Sequence, residues 1–471
     1  MKLSREGKCK GGVRVVENKS CNAPDADRQT LGVRAKLGYG VGDLAINLFF
    51  QSSIIFLLYF YTDIFGISAA AAATLFLVAR LVDAVTDPMM GAIADRTRTK
   101  WGQFRPYLLW GAPPLAVVTL AMFTAPELSE SGKLVYAYVT YILFSIAYTV
   151  VSIPYSSLTA VITDNSHERT VLTAYRMAFA LLGGIIVGVG TQPLVTLFGG
   201  GALGFQITIG LYGGIAIAVL ALTFANTTEK ALAVSQTAPT IREMLSVLSG
   251  NLPLWLIIIA FFAGMLAFTI RSSAVIYYFS YNLGRADLFP LFMLAILASQ
   301  FMGILITPWL SARLGKKRTY ISGAALGILS GFALYMTPYD ALGAIFVLSI
   351  VGSLCFAAPT VLGWSMLPDT IEYAQWKQGV RADGAIYATA SFFQKLAMAI
   401  GGALAGLVLA GSGYVANETQ SPEALNGILA MVSLIPVLAL MMGTVAIWFY
   451  PIDEALHVRM RAEIKTRALA E

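Results

Sequence analysis

Residues 67–100 read ISAAAAATLFLVARLVDAVTDPMMGAIADRTRTK. From 67 to 94 the run is apolar except for a few ionisable residues, and as a helix it is long enough to cross a hydrocarbon layer of about 30 Å. It ends in a basic turn, Asp95-Arg96-Thr97-Arg98-Thr99-Lys100. Lys and Arg beside a span are retained on the cytoplasmic face. The stretch therefore reads as a membrane helix whose far end lies inside the cell. The pattern recurs along the whole chain and sets the fold class, an all-α membrane protein.

Composition agrees. Of 471 residues, 57% are hydrophobic and 12% are charged, and mean hydropathy is +0.71. Soluble domains carry about 25% charged residues, so a soluble enzyme, a secreted disulfide scaffold and a disordered chain are all poor fits. Apolar runs fall at roughly 37–62, 67–94, 106–124, 134–160, 170–197 and 204–226, and again at 253–281, 287–312, 319–337, 341–366, 384–412 and 424–450. They predict 12 transmembrane helices in two six-helix bundles, 37–226 and 253–450. A polar cytoplasmic linker over 227–252 joins them, with a flexible N-terminal extension (1–36) and a cytoplasmic tail (451–471) outside. The extension has no apolar core of the kind a signal peptide carries.

The basic residues orient this layout. Of the 32 Lys and Arg, only Lys133 and Arg285 fall in odd-numbered loops, and Arg80, Arg176, Arg271 and Lys395 lie in or at the edges of spans. All others sit in the termini or even-numbered loops, which predicts both termini inside. The net charge of +6 follows from this placement and needs no nucleic-acid partner. The turns after the second and eighth spans, Asp95–Lys100 and Arg313-Leu314-Gly315-Lys316-Lys317-Arg318, occupy matching places in the halves and suggest an internal repeat. Cys9, Cys21 and Cys355 form no disulfide framework. No phosphate-binding G-x-x-x-x-G-K-[ST] or zinc-binding H-E-x-x-H occurs, and His167 and His457 fall in polar segments. No catalytic residue, cofactor or resident metal centre is expected.

Ionisable groups inside spans are costly and mark function. Asp83 and Asp87 lie one turn apart on one helix face. Two buried carboxylates that close require a shared cation, a proton or a basic partner, and Thr86 offers a further oxygen. This is the chemistry of a coupling-ion site; pairing with Arg80 and Arg271 as a purely structural bridge is the plainer alternative. Span 1 opens with Gly38-Tyr39-Gly40-Val41-Gly42-Asp43, and Asn47 shares a face with Asp43. Both could bond a polyol, with helix capping by Asp43 as the plainer alternative. Arg176 in span 5 is a candidate partner for Asp43, and Lys395 brings a positive charge into span 11. Gly184–Gly188 and Gly402–Gly406 are spaced for close helix packing.

The stretch GYGVGD…YFYTDIFGISA…TLFLVARLVDAVTDPMMGAIADRTRTKWGQFRPYLLWGAPP resembles the glycoside–pentoside–hexuronide:cation symporters of the major facilitator superfamily. Val139-Thr140-Tyr141, Tyr148-Thr149, Ile153-Pro154-Tyr155, Pro368–Tyr373, Trp376-Lys377, Gly379-Val380-Arg381 and Gly413-Tyr414-Val415 extend the resemblance over about 36–455. It implies a major facilitator fold, with Asp83, Asp87 and Thr149 at the coupling cation, Asp43 and Arg176 at the sugar, and Lys395 near the cation. Thr86 stands where melibiose-transporting members have asparagine, so the resemblance does not carry over the choice among sodium, lithium and proton. Ser152 and Ser156 replace their second sugar-binding aspartate and a tryptophan. That loss of negative charge resembles the hexuronide and sulfosugar branches. Arg271 could serve an anionic sugar in the same way, or pair with the acidic cluster.

The expectation is thus a monomeric, lipid-embedded secondary transporter of the bacterial inner membrane. It would couple Na+ or H+ to a sugar or glycoside, anionic ones included, by alternating access. The cytoplasmic segments Arg96–Arg105, Arg313–Arg318 and Asp369–Arg381 would form a charge-paired inner gate. A cation-coupled lysolipid carrier is the alternative within transporters; a channel or an intramembrane enzyme is the alternative outside them.

Overall fold

The computed structural model describes residues 31–163, 166–229, 248–379 and 383–470. The extension through residue 30, the linker over 230–247 and Val380-Arg381 lie outside the described residues. Within them the chain is helical, without a named strand; Thr99 and Gly102 form an isolated bridge in the basic turn. A helix satisfies its own backbone hydrogen bonds, which a hydrocarbon environment demands.

Helix α1 (Val33–Tyr59) runs on into one π turn, Phe60–Ile64. It is followed by α2 (Ala69–Arg96), α3 (Arg105–Met122), α4 (Glu130–Ile162), α5 (Ser166–Leu197) and α6 (Gly201–Asn226). After the linker come α7 (Leu252–Tyr277), which also closes on a π turn (Tyr278–Asn282), then α8 (Phe289–Leu314) and α9 (Lys316–Tyr335). The chain continues through α10 (Leu342–Gln378), α11 (Asp383–Gly411), α12 (Pro422–Val432), α13 (Leu434–Trp448) and α14 (Glu454–Ala470). Side-chain caps start several of them: Ser68 on α2, Ser129 on α4, Asn251 on α7 and Ser421 on α12. Each such cap is worth about 1 kcal/mol.

Nine helices among the described residues are long and apolar enough to cross a membrane. The other long ones are α2, α3 and α9. Helix α2 has an apolar stretch over Ala69–Ala79, and its sequence beyond this carries Arg80, Asp83 and Asp87. Large apolar side chains such as Trp110, Leu203, Leu329 and Trp448 point outward, as a lipid-facing surface requires.

Helix α1 packs on α5 and α6, α3 on α4 and α6, and α2 on α4; in the second half α8 and α9 pack on α10, and α7 on α11 and α13. Across the halves α2 meets α11, α5 meets α8, and α1 meets α7. Small residues permit these approaches. A Cβ on Gly406 of α11 would stand 2.6 Å from the Ala69 carbonyl of α2, and one on Gly188 of α5 would meet Met293 of α8 at 2.8 Å. The glycine spacings expected to pack do so.

The apolar core is unevenly shared. One cluster runs through α1–α6 and on into Ile270–Phe279, Phe289, Phe292 and Val432 of the second half. A separate cluster, with Leu254, Tyr320, Met366, Ile371, Ile447 and Met460, belongs to the second half alone. The halves therefore share a core at the end holding the two π turns and keep separate cores at the end holding the basic turns.

Two boundaries differ from the sequence reading. The tenth span, expected to end near 366, continues as helix to Gln378 and stops at Gly379, which takes a left-handed φ of 71°. The helix passes through Pro368, and Ile371 and Ala374 bury a face beyond it. The tail is likewise helical as α14, docked on α10 where the Trp376 indole donates to Glu463 at 2.7 Å and Arg467 donates to the Trp376 carbonyl at 2.8 Å. The twelfth apolar run is broken at Ser433, which lies between α12 and α13.

Candidate functional site

Gly42 lets Tyr155 of α4 lie against α1, since a Cβ there would stand 2.6 Å from the tyrosine ring. Tyr155 stacks on Tyr39 with ring centroids 5.0 Å apart, and its hydroxyl donates to the Tyr39 carbonyl at 2.8 Å. Next to this stack the Arg176 Nε donates to Asp43 Oδ2 at 3.0 Å, and the guanidinium lies 4.8 Å from the Tyr155 ring centroid. Its Nη1 and Nη2 reach Thr159 and Ser156, each at 3.5 Å. The capping alternative for Asp43 does not hold: α1 begins ten residues earlier, at Val33. Asn47 donates to the Asp43 carbonyl at 2.9 Å, and Ser152 is half-buried one turn before Ser156 on α4.

The second polar group gathers on α2. Ser145 donates to Asp83, Thr149 donates to Asp87 at 2.8 Å, and the Lys395 ammonium of α11 bonds the other Asp87 oxygen. Asp87 thus takes one partner from each half. Thr86 is not among its partners, and its hydroxyl is buried without a hydrogen bond. Lys395, expected from the resemblance to lie near the cation, stands on the Asp87 carboxylate. Among the described residues no cluster of three or more His, Cys, Asp or Glu could hold a metal, so any cation here would rest on two carboxylates and neighbouring hydroxyls.

A cavity of about 370 Å³ is lined by both halves, with Asn47 and Gln51 of α1, Gln300 of α8 and Gln394 of α11 on its walls. Arg271 of α7 also faces it; Nη2 is buried and makes no hydrogen bond. Of the two sequence alternatives for Arg271, pairing with the acidic cluster does not occur in this structure: no ion pair joins it to Asp83 or Asp87 among the described residues.

Sequence reasoning passed over Asp63 on the first π turn. Its carboxylate accepts from Tyr281 on the second π turn, from Tyr414 at 2.6 Å and from Thr62 at 2.5 Å. Asn417 donates to the Asp63 carbonyl at 2.7 Å, and Thr62 shares a 2.7 Å bond with Tyr277. This cluster clasps the halves at the end where they share a core. A signal existed: YFYTDIFG (59–66) and YYFSYNLG (277–284) match at the separation of 218 residues that parts Asp63 from Tyr281. Ser145 was also legible, four residues before Thr149. At the opposite end, Lys316 pairs with Asp369 at 2.7 Å and His457 approaches Glu372 at 2.8 Å, contacts made within the second half.

Two helical halves around a largely apolar cavity that carries a few amides and one guanidinium define a multi-pass membrane transporter. The chain belongs to the MFS/sugar transport protein family, whose model matches residues 38–454. It is 39% identical over 438 residues to "Uncharacterized symporter YnaJ" of Bacillus subtilis (strain 168), covering 92% of this chain and 94% of that one. It is 38% identical over 443 residues to the "Isoprimeverose transporter" of Lactiplantibacillus pentosus, covering 93% and 92%. The crystal structure of the nucleoside transporter NupG shares the fold with a TM-score of 0.63 at 12% identity, over 88% of this chain and 100% of that one. These relatives bear out the family expected from residues 36–455. The protein is a secondary transporter, not an enzyme, and an integral multi-pass protein of the bacterial inner membrane.

Proposed function

We propose that this chain couples the entry of Na+ or H+ to that of a sugar or glycoside by alternating access. One observation carries the reading: Asp87 is held by Thr149 from its own half and by Lys395 from the other. A cation that binds Asp83 and Asp87 competes with the Lys395 ammonium, so occupancy of the ion site alters a bond between the halves. The same cation draws α2 and α4 together, and α4 carries Ser152, Ser156 and Tyr155 beside Asp43 and Arg176. These residues, with Asn47, form the sugar face: Arg176 can donate to hydroxyls and Asp43 can accept from them. Ion and sugar then raise each other's affinity by the same factor, as linkage requires.

The chain is read as 12 spans with both termini inside, in bundles 37–226 and 253–450 joined by the 227–252 linker. It works as a monomer in lipid and needs no cofactor beyond the coupling ion. The Asp63 clasp and the shared core lie at the π-turn end, so the described arrangement is read as closed outside and accessible from the cytoplasm. Rocking of the bundles would break the clasp and close the basic-turn end. The names of the symporter and sugar-transporter relatives favour sugars over lysolipids, as does the polar lining of α1 and α4.

Uptake by proteoliposomes tests this, pairing neutral glycosides, glucuronides and sulfosugars with sodium and proton gradients. Accumulation should stop when monensin or a protonophore collapses the coupling gradient. Flux indifferent to both ionophores would make the protein a uniporter or a channel.

A further inference from the structure

Arg271 is the polar group that the symport scheme leaves unused. A guanidinium stays protonated at any pH a protein meets, and a buried charge without a partner is strongly unfavourable. Two other cations of the spans have counter-ions in place: Arg176 has Asp43, and Lys395 has Asp87. Arg271 has none among the described residues. Its Nη2 is buried without a hydrogen bond, and the residues lining the cavity it faces include no Asp or Glu. Gly352 lies beside the guanidinium, where a Cβ would touch Nη1 at 3.8 Å and crowd Ser330 Oγ at 3.0 Å.

The rest of the lining says what kind of molecule fits. Asn47, Gln51, Gln300 and Gln394 offer amides, which both donate to and accept from hydroxyls. Phe268 and Phe356 add apolar faces and lower the local dielectric, strengthening any charge pair formed there. The volume lies within the range of small-molecule sites. A neutral sugar could occupy the amides but would leave the positive charge uncompensated. An oxyanion would neutralise it through the forked geometry that guanidinium and carboxylate share.

We infer that Arg271 is a specificity-determining residue, the receptor in the second half for a carboxylate carried by the transported sugar. The inference rests on the sugar-symport reading above and deepens it. The acid group sits on α7, the amides of α1, α8 and α11 take hydroxyls, and the Asp43–Arg176 pair lies one turn beyond Asn47 along α1. The substrate thereby supplies the charge that the lining of this cavity lacks.

Matched 4-nitrophenyl glycosides that differ only at C6, glucoside against glucuronide and galactoside against galacturonide in both anomers, provide the test. Gradient-driven uptake of each pair is measured in proteoliposomes holding the wild-type protein, Arg271→Gln or Arg271→Lys. The wild-type protein should favour the acid member of a transported pair by about tenfold or more. Arg271→Gln should bring the ratio near one, and Arg271→Lys should retain part of it. Thermal unfolding without substrate separates binding from a structural role: Arg271→Gln should melt no lower than wild type, because it removes an uncompensated charge. An acid-to-neutral ratio that is the same in wild type and Arg271→Gln, or a lower melting point for that variant, overturns the assignment while sugar symport stands. Gradient-driven uptake of no member of any pair overturns the sugar reading and the Arg271 receptor with it.

Discussion

Helices α1 and α7 open the two halves of the molecule, and each closes on a π turn followed by a left-handed glycine, Gly66 at φ 78° and Gly284 at φ 61°. The backbone repeats, but the charges do not. In the first half Asp43 holds Arg176, and Asp83 and Asp87 hold hydroxyls of α4. The first half also supplies Asp63, the acceptor of the clasp. The second half answers with tyrosines at the clasp and with cations: Lys395 paired across the interface, and Arg271 facing the cavity. Two of these contacts, Lys395 with Asp87 and the tyrosines with Asp63, join the halves. At both, the first half supplies the carboxylate, Asp87 or Asp63, and the second half supplies Lys395 or Tyr281 and Tyr414.

The sharpest break of this contrast is Asp87→Asn, which removes the charge shared by both halves. The pair is partly exposed, and hydrogen bonds to charged groups are worth about 1.5–3 kcal/mol, so cation-driven uptake of the cognate sugar should fall by about 10- to 100-fold. Undiminished driven uptake would detach the carboxylate pair from ion coupling. Next comes Arg176→Lys, which keeps the charge but loses the fork and the stacking on Tyr155. Such an exchange is not conservative, and sugar affinity by titration calorimetry should weaken about tenfold. An unchanged affinity would move the sugar away from Asp43 and Arg176.

A smaller change should sharpen the comparison at the clasp. Asp63→Ala leaves Tyr281 and Tyr414 without their acceptor, a loss of about 1–3 kcal/mol. Spin labels at the exposed Leu128 and Val415 should then report a larger share of molecules open at that end, and an unaltered distance distribution would mean that the clasp is idle. The smallest effect lies outside the membrane. Bonds from the Trp376 indole and the Arg459 guanidinium hold the Glu463 carboxyl below its usual range. A carboxylate with a depressed folded pKa stabilises above its unfolded value, near 4.3, and loses that contribution as pH falls through the lower folded value. Hydrogen exchange of α14 should rise in that acid window, and Glu463→Gln should remove the dependence. A pH profile identical in the two proteins would leave α14 docked by apolar contacts alone.

How much of this was legible beforehand depends on the range of each force. Helix existence follows from local apolar content, so runs such as 204–226 gave their helices within a few residues. The end of α10 did not, because the apolar run stops near 366 and the helix continues on the burial of Ile371 and Ala374 against other elements. Asp83 and Asp87 stood out as charges in an apolar run. Asp63 did not, since it lies where a span meets polar residues and only Tyr281 and Tyr414, 218 and 351 residues away, give it meaning. Arg271 was visible as a buried cation, with two uses open.

By itself, the sequence determined the membrane class, the family and the small set of intramembrane charges. Each is set by composition or by neighbours a few positions apart. The tertiary structure alone decided which charges meet: Lys395 on Asp87, Arg176 on Asp43, Tyr281 and Tyr414 on Asp63, and none of the described carboxylates on Arg271. Electrostatic pairing in a low-dielectric interior depends on separations of a few ångströms between residues hundreds apart in the chain, and only the packing of helices sets those.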